Sequence, residues 1–168
     1  MPLVLKYKIE EDSELAVWEV KESEKILLSH VNLSGIDHER LQLIPHPKKR
    51  IEFLSARVAL QMLNINADGL NYTSKGKPLH PDYKVSLSHN HQFGAAIIHK
   101  TAEVGIDVED ISRDVSRVKH KFVRADEERI FEFMKPNPGL WIWGVKECGY
   151  KMHGRRKLDF KADMKVCS

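Results

Sequence analysis

Two strand pairs with one long amphipathic helix between them predict an α+β fold built on small, mainly antiparallel sheet. Residues 3–9 and 14–20 are rich in Leu, Val, Ile, Tyr and Trp and flank the polar stretch Glu10–Ser13, which reads as a hairpin. Val85-Ser86-Leu87-Ser88-His89 alternates apolar and polar, and the apolar, β-prone run Phe93–His99 returns antiparallel beside it. Small Gly94, Ala95 and Ala96 allow close packing on that returning strand. Between the pairs, Ile51, Leu54, Val58, Met62 and Ile65 recur at three- and four-residue spacing over residues 48–64, the buried stripe of a helix.

The other elements are shorter. Residues 22–29 read as helical until Asn32–Gly35 breaks the pattern, and His38–Ile44 adds a short helix stopped by Pro45 and Pro47. Lys48, Lys49 and Arg50 crowd the first turn of the long helix, where the helix dipole disfavours cations. Arg57, seven residues after Arg50, projects from the same side. A solvated basic face and an anion clamp both account for this cluster, since arginine matches phosphate in a bidentate geometry. Thr73–Pro78 forms a turn carrying Lys75 and Lys77, and Pro81-Asp82 marks another. The strand at 85–89 runs into a polar tip, Ser88-His89-Asn90-His91.

Next comes Val104-Gly105-Ile106-Asp107-Val108-Glu109, which alternates strictly and is expected to form a strand. Val104, Ile106 and Val108 share one face; Glu103, Gly105, Asp107 and Glu109 share the other. Same-side neighbours stand roughly 7 Å apart. Acids are depleted in strands and like charges repel, a cost that a divalent cation would remove. Oxygen ligands on a stiff element, with Gly105 leaving room, suit Mg²⁺. A half-exposed strand with a solvated acidic face gives the same alternation.

Residues 111–121 are basic and irregular, with Arg113, Arg117, Lys119 and Lys121. Ala125–Met134 reads as a helix with Asp126, Glu127 and Glu128 at its N-terminal end, stopped by Pro136-Asn137-Pro138-Gly139. In a last helix, Leu140–Met152, the residues Trp141, Val145, Cys148 and Met152 stack on one face, expected to be buried. Glu147 and Lys151 lie four apart on the other side, with Lys146 adjacent and Trp143 one turn before, and an ordinary surface ion pair has the same spacing. Gly154–Lys161 reads as one further strand.

The 168 residues are 42% hydrophobic, enough for one core or two small halves. A net charge of +3 is compatible with an anionic ligand or an acidic protein partner, and is not by itself the footprint of a nucleic-acid binder. No apolar run is long enough for a bilayer and no signal-peptide pattern opens the chain, so a cytoplasmic protein without a membrane partner is expected. Cys148 and Cys167 make neither a disulfide framework nor a zinc site.

Taken in order, the basic helix, the Gly-Lys-Pro turn, Leu-Ser-His, Gly-Ile-Asp-Val-Glu and Trp-Gly-Val-Lys-Glu followed after three residues by Lys resemble the 4′-phosphopantetheinyl transferases of the surfactin-synthetase-activating type. The resemblance covers residues 48 to about 160. It implies transfer of the phosphopantetheine arm of coenzyme A to a serine of an apo acyl or peptidyl carrier protein, releasing 3′,5′-ADP. It further implies Mg²⁺ on the pyrophosphate, held by Asp107, Glu109 and Glu147. Lys151 matches the catalytic lysine at the pyrophosphate, and Lys146 a neighbouring cationic contact. Ser88 and His89 match a phosphate-binding pair, Lys77 an adenosine-side contact and Arg50 a 3′-phosphate contact, with Arg57 a weaker match. The serine proton needs a base, and Glu147 and Glu127 are the candidates, Glu147 preferred. The family fold implies two similar α+β halves, here 1–102 and 103–168, with the active site in the cleft between them.

Family members of this type carry further strands after the Lys-Glu helix, so the second half is expected to be shortened, and the chain either to be less stable than a complete relative or to self-associate through an open edge. Two other readings suit the same residues. One is a metal-dependent nuclease, which would need a broad basic, aromatic-studded surface. The other is a non-catalytic relative that still holds coenzyme A or a carrier protein.

Overall fold

A computed structural model describes residues 3–127, 129, 135, 137–154 and 157–167 of the chain. Strands β1 (Leu3–Glu10) and β2 (Ser13–Glu19) form the expected N-terminal hairpin. Helices α1 (Glu24–Ser29) and α2 (Gly35–Gln42) precede the long α3 (Pro47–Met62). A small ribbon, β3 (Asn71–Tyr72) with β4 (Pro78–Leu79), leads to β5 (Lys84–His89) and β6 (Phe93–His99). Helix α4 (Pro138–His153) is the last element. None of the helices among the described residues is long and apolar enough to cross a membrane.

The sheet runs β1-β2-β6-β5, antiparallel throughout. The hairpin pairs with β6, from Ser13 opposite His99 to Glu19 opposite Phe93. Its alternation puts Ala16, Trp18, Val85, Ala96 and Ile98 into one core with Leu54, Val58 and Leu60 of α3 and Leu27 of α1. The strand glycine has a steric reason: a Cβ on Gly94 would stand 2.2 Å from the Ser55 carbonyl carbon, so α3 lies directly on β6.

Local chemistry shifts some boundaries. The Ser34 side chain accepts from the Asp37 amide (3.1 Å), so α2 begins at Gly35, inside the stretch the sequence reads as a break. Pro47, expected to stop one helix, starts the next, where its missing N–H costs nothing. The Asn137 side chain accepts from the Leu140 amide (3.3 Å), Pro138 opens α4, and Gly154 at φ 87° closes it in the left-handed conformation.

Five expectations need correction. The stretch 103–109 pairs with no strand; it runs extended beside β5 but outside the ladder. Two similar halves are not evident: all strands among the described residues lie within 3–99, and the described residues after 103 hold one 3₁₀ turn (Lys119–Lys121) and α4. Residues 157–161 are not strand, and within the predicted helix 125–134 the described residues 125–127 and 129 form turns, the rest falling outside the described residues. Finally, α4 buries Gly139, Leu140, Ile142 and Lys146 and leaves Trp141, Val145 and Met152 at 43, 44 and 42% exposure. The apolar stripe points outward because the buried side is set by Lys146, whose ammonium is enclosed by acceptors.

Candidate active site

The acidic stretch is fastened by side chains. Ser86 and Ser88 lie two apart on one face of β5, and their hydroxyls accept from the amides of Ile106 and Val108, both at 3.2 Å. The two-residue periods of both segments match, so the hydroxyls act as rungs where ladder bonds are missing. On its other side the stretch meets α4. A Cβ on Gly105 would lie 2.1 Å from the Cys148 carbonyl oxygen, so Gly105 makes room for a helix backbone and not, as expected from sequence, for a cation.

That contact sets Lys151, in the last turn of α4, over the acids. Its Nζ donates to Ser88 Oγ (3.0 Å), the Ile106 carbonyl (2.7 Å) and Asp107 Oδ1 (2.8 Å). The Ser88 hydroxyl in turn donates to Asp107 Oδ1 at 3.0 Å. Asp107 is 9% exposed, and its Oδ2 is buried with no hydrogen-bond partner. Glu109 accepts from Trp143 Nε1 (2.9 Å) and pairs with Arg113, whose guanidinium lies 5.5 Å from the Trp143 ring centroid. Ser88, His89, Asp107, Glu109, Glu147 and Lys151 line one cavity of about 300 Å³, together with Leu87 and Trp143. Burial, with the charges of Arg57 and Lys49, holds the His89 imidazole below its ordinary value against the pull of Glu52, 3.5 Å away. Burial and the Asp107 charge push the Cys148 thiol up.

Other predicted residues lie elsewhere. Lys77 ties the Met152 carbonyl (2.8 Å) at the end of α4 to Glu103, and it holds that carboxyl below its usual range. Arg50 is engaged by Glu24, with Nη2 to Oε1 at 2.6 Å, and by the Leu41 carbonyl, so it fixes α3 to α1 and does not reach the cavity. Arg57 is a correction: it is buried, pairs with Asp37 at 2.9 Å and stacks 3.4 Å from the Phe53 ring centroid, so it offers no clamp. Beside it, burial raises the Tyr72 hydroxyl to about 12. Lys146 and Glu127 are brought together, 2.8 Å apart and 0% exposed, on the far side of α4. The Glu127 carboxylate is therefore taken up by Lys146, whereas Glu147 lines the cavity. Sequence reasoning passed over Ser86; the matching two-residue spacing of Ser86/Ser88 and Ile106/Val108 was the available signal.

Among the described residues no three acids, histidines or cysteines stand close enough to enclose a metal by themselves. Mg²⁺ typically takes one or two protein carboxylates and completes its shell with water and phosphate. Asp107 and Glu109 meet that requirement in donor chemistry, and the unpartnered Asp107 Oδ2 is a buried acceptor that such an ion would satisfy.

No protein-family model matches the chain, and no curated protein matches it. Among solved structures, it is similar to a holo-(acyl-carrier-protein) synthase from Bacillus anthracis str. Ames in complex with coenzyme A (3′,5′-ADP). The TM-score is 0.41 at 16% sequence identity, covering 54% of this chain and 96% of that one.

Proposed function

We propose that this chain transfers the 4′-phosphopantetheine arm of coenzyme A to a serine of an apo carrier protein, releasing 3′,5′-ADP, with the pyrophosphate bound in the cavity at Lys151. One observation carries the reading: Ser88, Asp107 and Lys151 form a single hydrogen-bonded knot in a cavity also lined by His89, Glu109 and Glu147. Residues 1–102 and 103–168 would flank it. Ser88 and the Lys151 ammonium present a donor and a positive charge to a phosphate oxygen, and Lys151 steadies the charge that develops on the departing 3′,5′-ADP. Glu147 takes the serine proton as the serine oxygen approaches phosphorus. Mg²⁺, held by Asp107 and Glu109 with Glu147 nearby, would supply further charge neutralisation on the pyrophosphate.

A second reading has its own observation. Asp107 Oδ1 and Glu109 Oε1 are already engaged, by Lys151 and Ser88 and by Trp143 and Arg113. A site closed in this way suits a relative that holds coenzyme A without transferring its arm. Incubation with coenzyme A, Mg²⁺ and an apo acyl carrier protein, read by intact-protein mass spectrometry, separates the two. Transfer should add the arm to the carrier serine, and Asp107→Asn should slow it at least about a hundredfold while circular dichroism stays unchanged. Coenzyme A binding without any mass gain would select the second reading, and no binding would remove both.

A further inference from the structure

Beside the polar cavity, and sharing Asp107 and Glu109 with it, runs a larger groove of about 630 Å³ between the β1–β2 hairpin and α4. Leu5 and Val17 wall it on one side, Trp141 and Val145 on the other. The two shared carboxylates are its only charged lining residues among those described. This is where α4 turns its outward apolar stripe, with Val145 at 44% exposure.

We propose that this groove receives the acyl chain of an S-acylated coenzyme A, so that the preferred donor carries an acylated arm and not a free thiol. The inference rests on the coenzyme A reading of the polar cavity. The two spaces meet at Asp107 and Glu109, so a donor anchored by phosphate at Lys151 leads its arm past those carboxylates into the groove. A bare arm ends in amides and a thiol, and polar groups laid on apolar walls lose water without gaining partners. An alkyl chain gains by the same burial. The transfer step leaves the thioester untouched. The serine oxygen–phosphorus bond forms, the bond from that phosphorus to the 3′,5′-ADP oxygen breaks, and the serine proton passes to the base.

The test is calorimetric binding of coenzyme A and its acetyl, hexanoyl and decanoyl thioesters to the full chain and to Val145→Glu. A fully buried methylene adds roughly fourfold in affinity, so even an open groove should favour decanoyl-coenzyme A over coenzyme A by about tenfold or more. Val145→Glu should erase that gain, so that affinity no longer rises with chain length. Leu5→Glu, from the opposite wall, repeats the test if Val145→Glu does not fold. A flat chain-length series in the wild type, or a gain that survives both variants, overturns the inference. A flat series together with a raised carrier-protein KM in Val145→Glu assigns the groove to the carrier instead. Failure of coenzyme A itself to bind is a different result, because it removes the reading of the polar cavity and this inference with it.

Discussion

Among the described residues an enclosed ion pair lies in each half of the chain, and the two are embedded differently. Arg57 and Asp37, 2.9 Å apart, sit beside the Phe53 ring and the Tyr72 hydroxyl, at the margin of a core that sheet and α3 already close. Lys146 and Glu127 hold together a region whose described residues form no strand. The Lys146 ammonium also donates to the carbonyls of Phe122 (2.7 Å), Phe160 (2.7 Å) and Met164 (3.0 Å). Glu127 accepts from the amides of Arg124 and Val166, each at 2.8 Å. The apolar cluster around them is small, centred on Val115, Phe122, Val123, Leu140 and Ile142. Where ladders exist, backbone groups satisfy one another and burial does the rest. Where they are missing, a buried charge collects the loose carbonyls and amides.

The sharpest way to break this comparison is to make both pairs apolar. Asp37→Leu with Arg57→Met should be nearly neutral, because replacing a whole buried pair often is. Glu127→Leu with Lys146→Met strands three carbonyls and two amides and should cost at least about 3 kcal/mol. Urea unfolding of both double variants decides it, and equal costs would mean that the second pair is no hub. Acid sharpens the same point. Burial pushes the Glu127 carboxyl up, but Lys146 and its two amide donors outweigh this and hold it below its ordinary value. Its contribution is therefore complete above the usual glutamate range and is lost as pH falls through the depressed folded value. Trp143, packed 5.1 Å from Phe122 and 5.4 Å from Phe160 between ring centroids, should report that step, and Glu127→Gln should abolish it.

Two glycines extend the contrast at intermediate effect. Gly94→Ala drives a methyl into the Ser55 backbone inside the main core, and Gly105→Ala drives one into the Cys148 carbonyl at α4. Overpacking costs about 1–3 kcal/mol or more. We expect Gly94→Ala to spend that on global stability. In Gly105→Ala the helix should move instead, lowering coenzyme A affinity at least about tenfold as Lys151 leaves Asp107, with a smaller loss in Tm. Chemical denaturation and calorimetry on the same samples compare them, and a Gly105→Ala protein with unchanged affinity would show that the contact does not position Lys151.

The sheet was legible because its signals are local. The alternation in 85–89 marks a strand, although Ser86 and Ser88 are buried as well as Val85, and the three-and-four spacing from Ile51 to Ile65 marks the helix. Lys151, Asp107, Ser88 and His89 were legible as a set through their order along the chain. What was not legible depends on partners distant in sequence. Arg57 reads as part of a solvated basic face or an anion clamp until Asp37, 20 residues earlier, is seen against it. Lys146 reads as a cationic contact beside the pyrophosphate until carbonyls up to 24 residues away surround it, and that burial is what turns Trp141 and Val145 outward. The acidic stretch alternates in sequence but joins no ladder, and beyond Val104 its apolar residues are no more buried than its acids, since periodicity says nothing about what satisfies the amides.

The smallest expected effect tests the seam between the two regions. Ser86 bonds the acidic stretch through the Ile106 amide, and the carbonyl of that same residue accepts from Lys151. Ser86→Ala removes no charge and no group from the cavity, but it leaves a buried amide without its partner, a cost of about 1 kcal/mol. Ser88→Ala is the contrasting change, since it also takes a partner from Lys151 and Asp107. Hydrogen exchange should show the Ile106 amide losing protection in Ser86→Ala while Val108 keeps most of its own, with the reverse pattern in Ser88→Ala. Ser86→Thr retains the hydroxyl and should restore Ile106. If both amides lose protection together in either variant, the stretch is held as one unit by α4 and Gly105, and the serine rungs follow its position without setting it.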